Sequence, residues 1–129
     1  MAAREQLRVL VVDDQDSMRQ LLCAGLRGLG IQHIHTAADG VEALAKLRAR
    51  TIDLVLLDGE MPRMTGVEAL TAIRGDEALS KVRVIMVTGR ADAEFVQRTA
   101  KLGIDGYLVK PVSTVMLGAR IDAAARALG

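Results

Sequence analysis

The sequence predicts a doubly wound α/β domain, in which a five-stranded parallel sheet carries helices on both faces. Short apolar runs alternate five times with longer segments whose apolar residues recur at helical spacing. The runs are nearly continuous, which suits strands that are buried on both faces. No hairpin turn separates one run from the next, so each helix is expected to cross between parallel strands. Right-handed crossovers then leave only a few doubly wound strand orders.

The first strand is predicted at Leu7 to Val12, LRVLVV, directly before the acidic pair Asp13-Asp14. The following helix is expected to stop at Gly30. Its apolar residues recur at helical spacing: Met18, Leu21, Leu22, Leu26 and Leu29. A short second strand is predicted from Ile31 to Thr36.

The second helix is expected to begin at Asp39, because Glu42 lies three residues later, where a capping box requires it. Its predicted apolar stripe is Val41, Leu44 and Leu47. The third strand is the apolar run Leu54 to Leu57, and Asp58 follows it at once. One carboxylate is therefore expected at the point where a buried strand reaches the surface.

The third helix is expected to start at Thr65, with Glu68 as its capping-box partner. Its apolar stripe is Val67, Leu70 and Ile73. The fourth strand, Lys81 to Val87, leads into Thr88-Gly89.

A fourth helix is predicted from about residue 91 to residue 102, closed by Gly103. The fifth strand, Tyr107 to Val109, precedes Lys110-Pro111. The last helix carries Leu117, Ile121, Ala124 and Leu128 on one face. Phe95 and Val96 are adjacent apolar residues on the fourth helix, so one of them is expected to be exposed and to contact a partner.

Length and composition fit one domain over residues 1–129, with half of the residues hydrophobic. The net charge of +1 gives no general attraction to nucleic acid or membrane, and the arginines are scattered. Cys23 is the only cysteine, so no disulfide framework is expected. No apolar run approaches membrane-spanning length. We therefore expect a cytoplasmic protein.

Polar residues follow four of the predicted strands directly: Asp13-Asp14, Asp58, Thr88 and Lys110. Parallel strands all point the same way, so these side chains are expected along one edge of the sheet, where such folds bind ligands. Clustered carboxylates repel one another and raise each other's pKa, and a cation removes that repulsion. Oxygen ligands in this number suit Mg²⁺, which keeps several waters and accepts phosphate oxygens. An Asp carboxylate can also act as a nucleophile and become an aspartyl phosphate. Taken alone, Asp58 is equally typical of a loop carboxylate.

These residues, taken together, resemble the receiver domain of two-component response regulators. The matching features are Asp13-Asp14, the D-x-x-M-P-x-M-x-G run from Asp58 to Gly66, Thr88, Tyr107, and Lys110-Pro111. The resemblance covers the chain from end to end and implies a flavodoxin-like fold of strand order 2-1-3-4-5. It also implies a cis peptide between Lys110 and Pro111.

The resemblance implies a role for each matching residue. Asp58 would accept a phosphoryl group from a histidine kinase or a phosphotransfer protein. Mg²⁺ would be held by Asp13, Asp14, Asp58 and the backbone carbonyl of Glu60. Lys110 would contact the phosphoryl oxygens.

The resemblance also implies how phosphorylation is reported. Thr88 would shift toward the phosphoryl group, and Tyr107 would rotate inward. The output surface would be helix four, strand five and helix five, which would bind an unidentified protein, as in chemotaxis-type regulators, with no DNA contact expected. Glu60, two residues after Asp58, and Arg90, two residues after Thr88, would tune the phosphoryl lifetime. A monomer or a weak dimer is expected.

Two other function classes stay open at this point. A phosphatase using Asp58 as its nucleophile would need an Asp two residues later, where this chain has Glu60. A phosphorylation-independent adaptor would not need the polar strand ends. His33 and His35 share a strand face, but a third metal ligand is missing, so a solvated pair on an edge strand is the better interpretation.

Overall fold

The computed structural model describes residues 4–89 and 92–128. Within these ranges strands and helices alternate as predicted. The strands are β1 (Arg8–Val12), β2 (His33–Ala37), β3 (Leu54–Asp58), β4 (Arg83–Thr88) and β5 (Gly106–Val109). The helices are α1 (Asp16–Gly28), α2 (Gly40–Ala49), α3 (Gly66–Gly75), α4 (Ala93–Leu102) and α5 (Thr114–Ala127). A short 3₁₀ turn, Arg4–Gln6, precedes β1.

The sheet has five parallel strands in the order β2-β1-β3-β4-β5, which confirms the predicted doubly wound topology. Its register aligns the carboxyl ends of neighbouring strands. Val12 of β1 lies beside Leu57 of β3, so the two residues that follow, Asp13 and Asp58, leave the sheet side by side. Asp58 in turn lies beside Val87 of β4.

The strands divide their side chains between two cores, as the twofold repeat of a strand requires. On β1, Val9 and Val11 face the core formed with α1 and α5, whereas Leu10 and Val12 face the core formed with α2, α3 and α4. Strands β3 and β4 alternate in the same way. Both faces of the sheet are therefore covered. Among the described residues, no helix has the length and apolar character needed to cross a bilayer.

Several predicted boundaries and faces were wrong in detail. Strand β2 begins at His33 rather than Ile31, whose side chain instead packs into the core before the strand starts. Leu21, Val41 and Leu128 belong to the predicted apolar faces but are 60%, 58% and 37% exposed, and Leu128 lies just beyond the end of α5. Each helix buries only a limited arc against the sheet, and periodicity alone does not show which edge of a wide apolar stripe lies outside that arc.

The two predicted capping boxes differ in the structure. At α3, Thr65 accepts from the N–H of Glu68 while the Glu68 carboxylate accepts from the N–H of Thr65, which completes the box. At α2, Asp39 accepts from the N–H of Glu42, but the Glu42 carboxylate accepts from the N–H of Ala38 instead. The second prediction was therefore half right: the cap exists, but its return bond reaches one residue further.

Helix α3 begins in direct contact with the end of β3, and Gly66 makes this approach feasible. A Cβ atom built on Gly66 would lie 2.3 Å from the carbonyl oxygen of Asp58 and 2.6 Å from the Cα of Gly59. Both neighbours are backbone atoms, which cannot rotate away. The first residue of α3 therefore fixes the position of the loop that carries Asp58.

We predict opposite stability effects for alanine at the two ends of α3. Gly66→Ala should lower the free energy of unfolding by at least about 2 kcal/mol, because backbone must shift to relieve the overlap. Gly75→Ala is the matched control, since nothing lies within 4 Å of its added methyl group. It should raise stability by up to about 1 kcal/mol through helix propensity. Urea unfolding of both variants measures this, and similar losses in both would contradict it.

Candidate functional site

Three carboxylates meet at the carboxyl edge of the sheet. Asp13, Asp14 and Asp58 each offer an oxygen atom, and these atoms all lie within 4.8 Å of one another. Asp13 is completely buried and Asp58 is 3% exposed, whereas Asp14 is exposed. The cluster is thus closed on the sheet side and open to solvent on the side of Asp14. The structure brings together the acidic residues that the strand ends predicted.

Lys110 supplies the positive charge of the cluster. Its ammonium donates to Asp13 Oδ2 at 3.0 Å and lies 3.5 Å from Asp58 Oδ1. The Lys110 N–H donates to the carbonyl of Thr88 at 2.8 Å, which ties the lysine to the end of β4. The Lys110–Pro111 peptide bond is cis, as predicted. Lys110, which follows β5, therefore contacts the carboxylates at the ends of both β1 and β3.

Backbone N–H groups hold the two buried carboxylates in place. The N–H of Gln15 donates to Asp13 Oδ1 at 2.9 Å, and the N–H of Glu60 donates to Asp58 Oδ1 at 3.1 Å. Arg19 donates to the Asp13 carbonyl at 2.6 Å, which anchors α1 against the end of β1. Each carboxylate accepts its bond from the residue two positions later, so the loops after β1 and β3 turn in the same way.

The electrostatics of Asp58 are dominated by burial. Desolvation raises the pKa of the Asp58 carboxyl to about 6, although the N–H of Glu60 acts to lower it. The charge of Asp13 raises this pKa further, and Lys110 lowers it. For Lys110 itself, burial acts to lower the pKa, but the hydrogen bond and charges of Asp13 and Asp58 outweigh it and leave the pKa above its usual value.

The donor set fits Mg²⁺ among common metal ions. The cluster offers only oxygen ligands, and one face of it is open to water, which matches the preference of Mg²⁺ for a few carboxylates plus retained waters. The burial that raises the pKa of Asp58 is what a divalent cation would offset. Glu60 is exposed in the same loop, and its N–H already donates to Asp58.

Thr88 and Tyr107 were predicted as switch residues, and the structure places them on adjacent strands. Thr88 is completely buried at the end of β4. Tyr107 is half-buried on β5, and its ring meets that of Phe95 edge to face, with centroids 6.1 Å apart and an interplanar angle of 80°. Of the adjacent pair on α4, Phe95 is the buried member, 3% exposed, and Val96 is 37% exposed.

Two predicted assignments have less to report. Arg90, predicted to tune the phosphoryl lifetime together with Glu60, lies outside the described residues. The metal-ligand group found in the described part of the chain consists of aspartates and includes neither His33 nor His35. On β2, an edge strand, His33 is exposed and His35 is half-buried, so the prediction of a solvated pair holds for His33 and only in part for His35.

The sequence did not predict that Phe95 packs against Gly59, next to the site. A Cβ atom built on Gly59 would lie 2.7 Å from Cζ of Phe95 and 3.0 Å from the hydroxyl oxygen of Thr88. The residue after Asp58 is thus covered by an aromatic ring from α4. The only available signal was a glycine directly after the strand end, which often marks close approach of another group.

Comparisons with known proteins point to one family. Residues 9–122 match the response regulator receiver domain. The chain is 37% identical over 116 residues to Chemotaxis protein CheY of Pseudomonas aeruginosa, covering 90% of this chain and 94% of that protein. It is 36% identical over 118 residues to Chemotaxis protein CheY-3 of Vibrio cholerae, covering 92% and 91%.

Solved structures agree with this match. Chemotaxis response regulator CheY4 of Vibrio cholerae superposes with a TM-score of 0.84 at 35% identity, over 92% of this chain and 98% of that one. The CheX-CheY-BeF3-Mg complex of Borrelia burgdorferi superposes with a TM-score of 0.87 at 30% identity, over 93% and 90%. The latter structure contains Mg²⁺.

We predict that Asp58→Asn stabilises the metal-free protein at neutral pH. The raised pKa means that the folded state favours the protonated carboxyl, so wild-type stability falls as the pH rises from about 4 through about 6. Above pH 6 the variant should be more stable by the order of 1–3 kcal/mol, and the difference should shrink toward pH 4.

Denaturant unfolding at a series of pH values, without divalent metal, measures this difference. Asp14→Asn is the matched control, because it removes an exposed carboxylate from the same cluster. Its effect on stability should be small, because the side chain is exposed. If the wild type were as stable as Asp58→Asn at every pH, burial of the charged Asp58 carboxylate would carry no cost in stability, and the prediction would be wrong.

Proposed function

Because the chain belongs to the response regulator receiver domain family, whose CheY-like members are signalling proteins of two-component systems, we propose that it is a phosphorylatable switch. Asp58 accepts a phosphoryl group from a histidine kinase or a phosphotransfer protein. The modified protein then changes its affinity for a protein partner. The observation that carries this proposal is the buried Asp58 carboxylate, positioned within a cluster of carboxylates and 3.5 Å from the Lys110 ammonium.

Asp58 is suited to act as the nucleophile. Its pKa of about 6 leaves the carboxylate mostly ionised at neutral pH while burial withholds some of its hydration. A carboxylate oxygen forms the new bond to phosphorus as the bond between phosphorus and the donor's histidine nitrogen breaks. The leaving nitrogen keeps that electron pair. The Glu60 N–H, bonded to Oδ1, fixes the orientation of the attacking group.

Lys110 stabilises the product. Its ammonium already reaches toward Asp58 and carries a point charge suited to phosphoryl oxygens. Its bond to Asp13 holds the side chain on the carboxylate side of the site, so little reorganisation precedes transfer. Arg cannot be assumed to replace it, because a guanidinium presents a planar fork rather than a compact charge.

Mg²⁺ is the proposed cofactor, held by Asp13, Asp14, Asp58 and the backbone carbonyl of Glu60. When bound, the cation supplies positive charge to the carboxylates and to the phosphoryl oxygens. Asp13 is fixed for this role by the Gln15 N–H, which directs one of its oxygens. Asp14 is exposed and would hold the cation from the open side of the cluster.

The proposed output runs through Thr88 and Tyr107 to α4, β5 and α5. Thr88 lies beside Val109 in the sheet, so a shift of the end of β4 would also displace β5. Val96 on α4 and Val109 on β5 are 37% and 46% exposed, and exposed apolar side chains on these elements suit contact with a protein. A change in the position of α4 relative to β5 would alter that surface.

We predict that acetyl phosphate and Mg²⁺ add one phosphoryl group to the wild-type protein. Asp58→Asn should remove labelling while it preserves the fold, because the amide is a poor nucleophile. Intact-protein mass spectrometry measures the product, and omission of Mg²⁺ should suppress it strongly. Glu77→Gln, at an exposed site in the loop after α3, is the control and should label normally. Equal labelling of Asp58→Asn and wild type would overturn the assignment of Asp58.

We predict that Glu60 and Arg90 set the phosphoryl lifetime. Glu60 is exposed in the loop after Asp58, where its side chain limits the approach of an attacking water. Glu60→Ala and Arg90→Ala should each change the dephosphorylation rate, measured by loss of label after removal of the donor.

The double variant tests whether these two residues act as a pair. A departure from additivity in the logarithm of the rate would show coupling between them. Strict additivity would indicate two independent effects. Unchanged rates in both single variants would remove both residues from the mechanism.

A further inference from the structure

We propose that Phe95 is a positioning residue of this switch, whose ring transmits the state of the loop after Asp58 to Tyr107 and to the first turn of α4. The inference rests on the proposed function, since it concerns how phosphorylation is reported. It adds a third side chain to the two switch residues, Thr88 and Tyr107, that the motif supplies.

The first contact of Phe95 is with the acceptor loop. Gly59, the residue after Asp58, carries no side chain, and a Cβ atom at that position would lie 2.7 Å from Cζ of the Phe95 ring. The same position lies 3.0 Å from Oγ1 and 3.2 Å from Cβ of Thr88. The tip of the ring and the Thr88 side chain therefore lie side by side against the same backbone. A movement of either changes the space available to the other.

The second contact of Phe95 is with Tyr107. The two rings pack edge to face, with centroids 6.1 Å apart and an interplanar angle of 80°. Both rings belong to the core on the α2, α3 and α4 side of the sheet. One aromatic ring thus touches the loop that carries the phosphoryl acceptor and the tyrosine that reports its state.

The backbone of Phe95 is anchored in the first turn of α4. The N–H of Phe95 donates to the N-cap carboxylate of Asp92 at 3.0 Å, and the Phe95 carbonyl accepts from the buried hydroxyl of Thr99 at 3.1 Å. The residue is therefore held by the cap and by the next turn. Displacement of the ring should displace the first turn of α4, including the exposed Val96 that follows.

The ring also has space to move into. A surface crevice of about 580 Å³ lies between the acceptor loop, α3 and α4, and Phe95 forms part of its wall. The other wall residues include Met61, Val67 and Arg98. Packed interiors respond to a local shift by moving between discrete arrangements rather than by gradual deformation. When Thr88 moves toward a phosphoryl group, the Phe95 ring and the Tyr107 ring repack together.

We call these contacts, from the loop after Asp58 through Phe95 to Tyr107, the relay. The amino-acid composition of the chain makes the relay measurable. Tyr107 is the only tyrosine, Phe95 is the only phenylalanine, and there is no tryptophan. Tyrosine fluorescence therefore reports Tyr107 alone, and carbon-13 ring labelling of phenylalanine reports Phe95 alone. Both signals are recorded for the full chain before and after addition of Mg²⁺ and acetyl phosphate, with the phosphorylated fraction measured by mass spectrometry in each sample.

In the wild type, phosphorylation should shift both the Phe95 ring resonances and the Tyr107 fluorescence, and Asp58→Asn should remove both responses. Phe95→Leu keeps an apolar side chain but loses the ring edge that touches Tyr107. It should be phosphorylated to the same extent, while its Tyr107 response falls at least about twofold. Leu44→Ala, which removes buried volume from the same core on α2, controls for general loosening and should keep the full Tyr107 response.

A second variant, Gly59→Ala, changes the relay at the loop after Asp58 instead of at Phe95. Gly59→Ala places a methyl group against the Phe95 ring and should shift the Tyr107 fluorescence without any phosphodonor. In the double variant Gly59→Ala/Phe95→Leu, the ring tip is absent, so this donor-independent shift should be largely suppressed. Thermal unfolding of every variant identifies any that is not folded, in which case Phe95→Met replaces Phe95→Leu.

Each outcome decides between the possibilities. A Tyr107 response in phosphorylated Phe95→Leu equal to that of the wild type would overturn the relay. An additive double variant, with the Gly59→Ala shift unchanged by Phe95→Leu, would also overturn it. A wild type that is not phosphorylated would instead overturn the proposed function, so failure of the relay and failure of the switch are distinguishable.

Discussion

The structure depends on one electrostatic constraint, the burial of the Asp58 carboxylate beside Asp13 where two parallel strands end. Burial deprives the Asp58 carboxylate of hydration, and the nearby charge of Asp13 repels it. Both effects raise the pKa of Asp58, and burial is the larger of the two. Lys110 offsets part of the repulsion through its contacts with both carboxylates. A group that adds positive charge or occupies the open side relieves the remainder. The resting cluster is therefore only partly neutralised, which favours the binding of a cation as in the proposed function.

The same constraint determines the packing around the site. Asp58 is buried only if the backbone after it is also covered, and two glycines allow this. Gly66 lets the start of α3 pack against the Asp58 carbonyl. Gly59 lets the Phe95 ring pack against the backbone directly after Asp58. Side chains at either position would push an element away from Asp58. The close packing around Asp58 and the contact of its loop with α4 thus have a common origin in the absence of two Cβ atoms.

Much of this arrangement was predictable from the sequence, for a physical reason. Strands that are covered on both faces appear in the sequence as apolar runs. Parallel register brings the residues that follow these runs to one edge of the sheet, so the sequence alone predicts that Asp13, Asp58 and Lys110 lie together. The contact between Phe95 and Gly59 could not be predicted. It depends on the rotation of α4 about its axis and on its distance from the sheet, which apolar periodicity does not determine.

The contact between Phe95 and Gly59 suggests how a change of charge at a buried site can alter the surface of a small domain. In the proposed switch, phosphorylation would alter the charge at Asp58, but a partner could respond only if atoms on the exposed face moved. An exposed ion pair would transmit little, since solvent screens it. A buried aromatic ring transmits through excluded volume, which solvent does not weaken. Phe95 lies between the loop after Asp58 and the exposed Val96, so in the proposed mechanism its steric contacts would carry the effect of the charge to the surface.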